Sequence, residues 1–349
     1  MDAPKFTLAQ AQKQAGRCAW AHRQFIGKTP PISKENASRV VGKTAIVTGS
    51  NSGLGLETSR QLLDLGVARL ILAVRTVSKG EKAREGLLSG RDASRVQVDV
   101  WQLDLLSYDS IIKFAEKAKT LDELDFAILN AGHYRELEHF CEATGYEESV
   151  QVNYISTMLL TILLLPILKT KSSQGGPGRL VVVNSDTASW AKFPERGERP
   201  LLPIYKRKTE NWNHPDRYAL SKLLGQLFLH KLVQKIPSSD VIINVINPGL
   251  CYGTEIVKDG DGRLLGDLYK LGFRILGKPA AVGSRAIIHS AISFGEESHG
   301  QYTEDGEIRP LAPILYTPEG EDVANALWDE TLAELPSSPV QEALKEFSN

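Results

Sequence analysis

Short runs of apolar, β-branched residues recur along the chain and alternate with longer stretches of helical apolar spacing. The runs are apolar at nearly every position, which is typical of strands buried on both faces of a sheet. Six strands are predicted, at Lys43–Thr48, Arg69–Val74, Val96–Leu103, Asp125–Leu129, Arg179–Val183 and Val241–Ile246. The helical stretches include Gly55–Gly66, Ser107–Lys119, Thr144–Leu168 and Pro215–Lys235. This alternation predicts a doubly wound α/β fold, a parallel sheet with helices on both faces.

The segments outside this alternation suggest the domain organisation. Residues 1–40 are expected to form an N-terminal extension with one helix, and residues 41–310 a single α/β domain. Residues 311–349 are expected to be a helical segment packed on the same domain, with an amphipathic helix at Glu319–Leu335. Two inserts, 190–214 and 250–278, follow the carboxyl ends of strands, where such folds build their substrate pockets. We therefore expect both inserts to contribute to the pocket.

Composition narrows the class of protein. The 349 residues carry a net charge of −1, which argues against a protein that grips nucleic acid or anionic membrane through its overall charge. The three cysteines lack metal-ligand spacing, so no metal site is predicted. The most apolar run, Ile155–Leu168, is 14 residues long and contains Pro166. It favours a buried core helix over a membrane span. No secretory signal is evident, and we expect a cytoplasmic protein.

A glycine-rich turn follows the first predicted strand and opens the first helix. It comprises Gly49, Ser50, Asn51, Ser52, Gly53, Leu54 and Gly55. Glycines allow the backbone to turn sharply and to approach a ligand closely, and a helix N-terminus offers free N–H groups to a pyrophosphate. The turn is therefore predicted to bind a nucleotide. Its spacing, G-x-x-x-G-x-G, differs from the G-x-G-x-x-G of many dehydrogenases.

Four further motifs occur in a fixed order behind this turn. They are Asn130-Ala131-Gly132 after strand four with Asn153 in the next helix, Asn184-Ser185 after strand five, Tyr218-x-x-x-Lys222 on a helix, and Asn247-Pro248-Gly249 after strand six. Over about residues 40–310 the chain resembles the short-chain dehydrogenase/reductase family, which has the Rossmann fold. Within it, the segments Ala73–Arg75 and Ala324–Leu335 are most similar to the retinol-dehydrogenase-like and WW-domain-oxidoreductase-like branch.

The resemblance implies a role for each residue of a catalytic set. Tyr218 would be the general acid for ketone reduction and the base for alcohol oxidation. Lys222, one helical turn away, would lower the pKa of Tyr218 and hold the nicotinamide ribose. Ser185 would bond the substrate oxygen, and Asn153 would hold a water that relays protons from Lys222. Two alternatives stay open: Ser185 as a cap of the turn that follows it, and Asn153 as an ordinary helix residue.

Further residues are expected to bind the cofactor. After strand two, NAD enzymes place an acid that bonds the ribose, whereas a 2′-phosphate needs a cation. Arg75 stands here, so NADP(H) is predicted, the alternative being a solvated arginine in an enzyme that uses NAD. The resemblance also implies contacts from Asp104 and Leu105, from Asn130, Ala131 and Gly132, from Tyr218 and Lys222, and from Pro248, Gly249 and Thr254. Asp104 has an alternative role as a helix cap.

The expected function is thus an NADPH-dependent oxidoreductase that transfers hydride between the nicotinamide and a carbonyl or secondary alcohol. The substrate is expected to be a lipophilic small molecule, with secondary metabolism suggested by analogy. Two alternatives are an NADP-bound non-redox enzyme, such as an epimerase or dehydratase, and a cofactor-binding regulator. The resemblance also implies a homodimer as an option, formed by the apolar helix and the Tyr218 helix.

Overall fold

A mostly parallel sheet runs through the centre of the protein. The computed structural model describes residues 6–92, 94–173, 176–254, 272 and 274–348. All six predicted strands are present, within one or two residues of their expected ends. The ten strands are β1 (Thr44–Thr48), β2 (Arg69–Val74), β3 (Gln97–Gln102), β4 (Phe126–Leu129), β5 (Gly178–Val183), β6 (Val241–Asn247), β7 (Cys251–Tyr252), β8 (Lys278–Pro279), β9 (Tyr302–Glu304) and β10 (Glu307–Arg309) among the described residues.

The strand order places a crevice at the centre of the sheet. The order is β10-β9-β6-β5-β4-β1-β2-β3, and every neighbouring pair is parallel except β9 and β10. The chain reverses its direction of winding between β1 and β4, which are neighbours. In open α/β sheets, ligands bind beyond the carboxyl ends of the strands at such a point. The doubly wound fold predicted from the sequence is therefore confirmed.

Helices cover both faces of this sheet. The described helices are α1 (Leu8–Ala15), α2 (Arg17–Phe25), α3 (Lys34–Ser38), α4 (Gly53–Asp64), α5 (Val77–Leu88), α6 (Tyr108–Ala118), α7 (Glu148–Lys171), α8 (His214–Leu232), α9 (Ala280–Ile292), α10 (Pro318–Glu334) and α11 (Ser337–Lys345). On one face, α4, α5 and α9 contribute Leu62, Leu87 and Ile287 to one buried apolar cluster. On the other face, α6, α7 and α8 contribute to a second buried apolar cluster, which includes Phe114 of α6 and Leu224 of α8.

The most apolar helix begins four residues after the predicted start at Thr144 and ends three residues after the predicted end at Leu168. Helix α7 spans 24 residues, long and apolar enough to cross a membrane, and Pro166 lies inside it without ending it. Its apolar window is 94% buried inside the protein, which agrees with the expected core helix. Residues Gln151–Ser156 within α7 form a π-helical segment, a feature that often marks functional sites.

The two terminal segments differ in detail from the expectation. Residues 1–40 contain three short helices, α1 to α3, instead of one, because Gly16 separates α1 from α2. The C-terminal helices α10 and α11 pack on α8 and α7. Phe228 of α8 stacks on Trp328 of α10 with 4.9 Å between ring centroids. A homodimer that pairs α7 with α8 would have to displace this segment.

The described parts of the two inserts follow the carboxyl ends of β5 and β6 in the chain. In insert 190–214, Leu201 and Leu202 are buried, and their N–H groups donate to the Glu330 carboxylate of α10 at 2.8 and 2.7 Å. This part of the insert packs against the C-terminal helix and not around a pocket. Insert 250–278 begins at β7 and ends at β8, which pair in parallel. The helical pattern predicted between them falls mostly on residues 255–271 and 273, outside the described residues.

Candidate active site

A cavity of about 530 Å³ opens at the carboxyl ends of the central strands. It gathers residues from all of the sequence motifs. The predicted site residues that line it are Gly49, Asn51, Ser52, Gly53, Leu54, Arg75, Asp104, Leu105, Asn130, Ala131, Gly132, Ser185, Tyr218, Lys222, Pro248, Gly249 and Thr254. Of the other predicted residues, Gly55 lies against Gly49 and Asn153 against Gly132, while Ser50 is buried beside Gly49 in the chain. The structure thus brings the predicted set to one place.

The glycine turn has the geometry of a phosphate cradle. Gly49 and Gly53 have φ angles of +65° and +55°, which side chains other than glycine rarely allow. A Cβ on Gly55 would lie 2.4 Å from the Gly49 carbonyl oxygen, so only glycine fits there. The N-cap Ser52 makes no side-chain hydrogen bond to the first turn of α4. The amides of that turn therefore face the cavity uncapped, as pyrophosphate binding requires.

Asn130 and its neighbour tie the ends of β1 and β4 together. The Asn130 side-chain amide donates to the Thr48 carbonyl at 2.9 Å, and the Ala131 N–H donates to the Thr48 hydroxyl at 2.8 Å. These bonds hold the glycine turn against the strand on the other side of the crevice. Asn130 therefore has a structural role in addition to its place in the cavity wall.

Lys222 and Tyr218 lie on α8, with the ammonium 5.6 Å from the centroid of the phenol ring. The Lys222 Nζ donates to the carbonyl of Val183 at the end of β5, at 3.0 Å. The lysine is buried, and burial lowers its pKa from 10.5 to about 8. This brings the titration of the amine close to neutral pH. The group can therefore exchange a proton under physiological conditions.

Burial also raises the pKa of the Tyr218 phenol, and the carboxylate of Asp186 raises it further. A hydrogen bond from Ser185 acts in the opposite direction. The lowering by Lys222 that the resemblance implies is not among these causes and stays a prediction. The phenol of Tyr218 therefore keeps its proton at neutral pH. The Ser185 hydroxyl lies beside it and can bond the same oxygen atom of a bound molecule.

Ser185 caps the short helical turn that follows β5. Its hydroxyl accepts from the Thr187 N–H at 3.2 Å and from the Thr187 hydroxyl at 3.0 Å. The alternative of a capping serine is therefore realised, yet the same side chain lines the cavity. Capping fixes the rotamer of Ser185 and so aims its hydroxyl. The two roles are compatible.

Asn153 lies in the π-helical segment of α7 and is held from several directions. Its Oδ1 accepts from the His133 N–H at 2.9 Å, and its Nδ2 donates to the His133 carbonyl at 2.9 Å. Nδ2 also lies 3.0 Å from the Ser221 hydroxyl on α8. A Cβ on Gly132 would lie 2.9 Å from the Asn153 Oδ1 and 3.6 Å from the Lys222 Nζ. This asparagine therefore connects the β4 end to the catalytic helix.

The remaining predicted contacts lie around the cavity rim. Arg75 is exposed, and no hydrogen bond or ion pair joins it to another residue in the described ranges. The Asp104 carboxylate accepts from the Leu106 N–H at 3.0 Å, whereas Ser107 caps α6. The alternative that Asp104 caps this helix is therefore wrong. Thr254 packs against the glycine turn, since a Cβ on Gly53 would lie 3.2 Å from its Cα.

Several cavity residues were not predicted from the sequence, among them Trp20, His133, Tyr134 and Asp186. Trp190 also lines the cavity and belongs to insert 190–214, which was expected to contribute to the pocket. His133 follows the Asn130–Gly132 motif directly, and burial lowers its pKa to about 3, so it is neutral. Asp186 follows Ser185 in the same way. His133 and Asp186 could have been predicted because each directly follows a motif residue. Trp20 reaches the cavity from the N-terminal extension, and no motif near it in the sequence indicates this position.

Comparison with known proteins assigns the family. A family profile described as short chain dehydrogenase matches residues 43–194. The chain is 45% identical over 336 residues to the short-chain dehydrogenase fogG of Aspergillus ruber, covering 95% of this chain and 96% of that protein. The chain belongs to the short-chain dehydrogenase/reductase family. It is also 43% identical over 304 residues to the short chain dehydrogenase/reductase mfmJ of Annulohypoxylon moriforme, covering 86% of each chain.

Solved structures show the same fold at lower identity. A putative uncharacterized protein from Mycobacterium paratuberculosis has a TM-score of 0.60 and 23% identity, covering 88% of this short-chain dehydrogenase and all of that chain. A putative short chain dehydrogenase from Shigella flexneri, complexed with NADP, has a TM-score of 0.53 and 20% identity, covering 76% and 98%. At this identity the likeness establishes the fold alone.

Proposed function

We propose that the protein is an NADPH-dependent oxidoreductase that reduces a carbonyl, or oxidises the corresponding secondary alcohol, of a lipophilic small molecule. The observation that carries the proposal is the meeting of Ser185, Tyr218 and Lys222 with the glycine turn in one cavity. A regulator that only binds a cofactor has no need for a buried lysine beside a half-buried tyrosine in the cavity wall.

The cavity fits a dinucleotide, because the glycine turn leaves room for phosphate and the first amides of α4 are uncapped. When bound, NADPH would supply the hydride. In the reductive direction Tyr218 donates its proton to the substrate oxygen, and its raised pKa keeps the phenol protonated until then. The Ser185 hydroxyl donates a hydrogen bond to the same oxygen as negative charge develops there. Lys222, with a pKa of about 8, returns a proton to Tyr218.

The preference for NADPH over NADH rests on Arg75. This guanidinium lies at the cavity rim after β2, has no partner in the described ranges, and can hold a 2′-phosphate through two parallel hydrogen bonds. No acid occurs in the sequence between β2 and Glu81 to bond the ribose instead. The NADP complex of one structural relative supports the same choice.

The substrate class rests on the cavity wall. Leu106, Val152 and Leu250 contribute apolar surface, and indole and phenol rings complete the wall. A lipophilic carbonyl compound suits this surface. The relatives from Aspergillus and Annulohypoxylon support a place in fungal-type secondary metabolism, by analogy. We also propose that the enzyme acts in the cytoplasm.

Replacing Tyr218 with Phe tests the mechanism. NADPH absorbance is followed with a panel of apolar ketones and aldehydes, and product is quantified in parallel. We expect the variant to lose at least about a hundredfold in kcat, because general acid catalysis contributes about 10²–10⁴. The control is Tyr252→Phe, since Tyr252 is 38% exposed and outside the cavity wall. Full turnover by Tyr218→Phe would refute the mechanism, and product formed without NADPH consumption would favour the non-redox alternative.

A further inference from the structure

Helix α2 of the N-terminal extension forms part of the cavity wall. It lies outside the nucleotide-binding sheet and ahead of the segment that the family profile matches. Yet its Trp20 lines the same cavity as Tyr218 and Ser185. Trp20 therefore comes from a part of the chain for which no catalytic role was predicted.

Trp20 lies at the catalytic end of the cavity. Its indole meets that of Trp190 edge to face, with 5.8 Å between centroids and an interplanar angle of 72°. Trp190 ends the short helical turn that starts directly after Ser185. Arg75 and Asp104, by contrast, follow β2 and β3, on the other side of the crevice. Trp20 therefore lies on the Ser185 side of the crevice and not on the side of Arg75 and Asp104.

The two indoles are fixed by contacts from the extension itself. The Trp190 Nε1 donates to the Ala15 carbonyl at 2.7 Å, and the Arg17 guanidinium lies 4.2 Å from the Trp190 ring centroid. The Phe25 ring packs edge-on against Trp20 at 5.9 Å. An aromatic pair held in this way presents a rigid apolar surface, which suits contact with a ring or a flat apolar chain.

Gln24, one turn after Trp20, joins the extension to both ends of insert 250–278. Its Oε1 accepts from the Leu250 N–H at 3.1 Å, and its Nε2 donates to the Leu250 carbonyl at 3.0 Å and the Leu276 carbonyl at 2.9 Å. Gln24 is 6% exposed, so these bonds are shielded from water. One side chain therefore sets the position of the insert relative to α2.

Arg23 fastens the same helix to the central sheet. This buried guanidinium forms an ion pair with Glu304 of β9 at 2.7 Å. It also donates to the carbonyl and side chain of Gln14 at 3.0 and 2.8 Å. Because breaking a buried pair leaves an unpaired charge, α2 is costly to move. The helix is a fixed wall.

We propose that Trp20 is a specificity-determining residue that contacts the substrate, and that Gln24 positions Leu250 and Leu276 relative to it. The proposal rests on the proposed function and adds the extension to the substrate site. The glycine turn and Arg75 follow β1 and β2, on the other side of the crevice, so we expect replacement of Trp20 to leave NADPH binding nearly unchanged.

The test compares Trp20→Ala and Trp20→Phe with the wild type. The control is Ile26→Ala, since Ile26 follows α2, is 65% exposed and does not line the cavity. We measure KM and kcat for a carbonyl panel, and the Kd for NADPH by tryptophan fluorescence. Trp20→Ala should raise KM about tenfold for the best ring-containing substrates, equivalent to about 1.4 kcal/mol. It should also reduce the differences in KM between the carbonyls of the panel. Trp20→Phe should recover part of the loss, with the NADPH Kd within about twofold throughout.

A second readout does not depend on turnover. Each protein, saturated with NADPH, is titrated with the apolar fluorophore anilinonaphthalene sulfonate as a probe of the remaining cavity. Weaker probe binding in Trp20→Ala than in Ile26→Ala supports the place of Trp20 in the cavity wall, even if no carbonyl in the panel reacts. Lack of reaction with every carbonyl would count against the proposed function alone. The role of Trp20 would be overturned if Trp20→Ala left probe binding unchanged and also left the ranking of the carbonyls by KM unchanged. If the wild type reduces no carbonyl in the panel, unchanged probe binding alone would overturn it.

Gln24→Ala tests the positioning role. We expect a higher KM for the carbonyl with a nearly unchanged kcat and NADPH Kd, because chemistry and cofactor contacts remain. An unchanged KM for the carbonyl, or a loss confined to kcat, would refute the positioning role.

Discussion

Replacing Lys222 with Met should stabilise the cofactor-free protein at about pH 7 and should remove its enzymatic activity. The buried ammonium has its pKa lowered from 10.5 to about 8, which corresponds to about 3 kcal/mol against the charged form. Met removes this cost and fills a similar volume. It also leaves the Val183 carbonyl without its donor, at a cost of about 1–2 kcal/mol. The expected net gain is about 1–2 kcal/mol, or a Tm about 2 °C higher for a chain of this length.

The stability difference between the Lys222→Met variant and the wild type should change sign with pH. Between about pH 8 and 10.5 the unfolded chain keeps a proton on Lys222 that the folded chain has released, so wild-type stability rises with pH across that window. The Tm difference between variant and wild type should therefore be positive at about pH 7 and negative by about pH 10. Thermal unfolding by circular dichroism across this range measures it. A variant less stable at about pH 7, or a difference that does not change with pH, would refute the argument.

Three further changes probe the cofactor site and the insert. Arg75→Ala should weaken NADPH binding at least about tenfold and leave NADH unaffected in fluorescence titrations, and an equal loss for both would contradict the role of Arg75. Gly55→Ala should abolish NADPH binding, since its Cβ would lie 2.4 Å from the Gly49 carbonyl, whereas Gly86→Ala, with open space around it, should bind normally. Glu330→Ala should lower the free energy of unfolding by about 2–4 kcal/mol, because it strips two N–H groups of their acceptor. The exposed Asp329→Ala should have little effect, and equal losses for the two variants would show that these bonds add nothing.

The central sheet and most of the site could be predicted because their signals are local. A buried parallel strand must be apolar along its length, so Arg69–Val74 is recognisable from its own residues. The glycine turn and the Tyr218–Lys222 pair are likewise short motifs whose spacing follows from a turn and a helix. The parallel topology then brings them together without further information.

The rest depends on contacts between distant parts of the chain. Strands β9 and β10 are three residues each, too short to show a period, and form through pairing with β6 and each other. The three helices of the extension are too short to form on propensity alone and depend on partners such as Glu304. Trp20 reaches the cavity through those contacts, so nothing near it in the sequence indicates its position.

The C-terminal helices also bear on how catalytic centres communicate. If two copies met through α7 and α8, binding at one centre could be transmitted to the other, since Tyr218 lies on α8. In this chain α10 and α11 already cover that pair of helices. We therefore expect no cooperativity by that route, so rate against substrate concentration should follow a simple hyperbola with a Hill coefficient of about one.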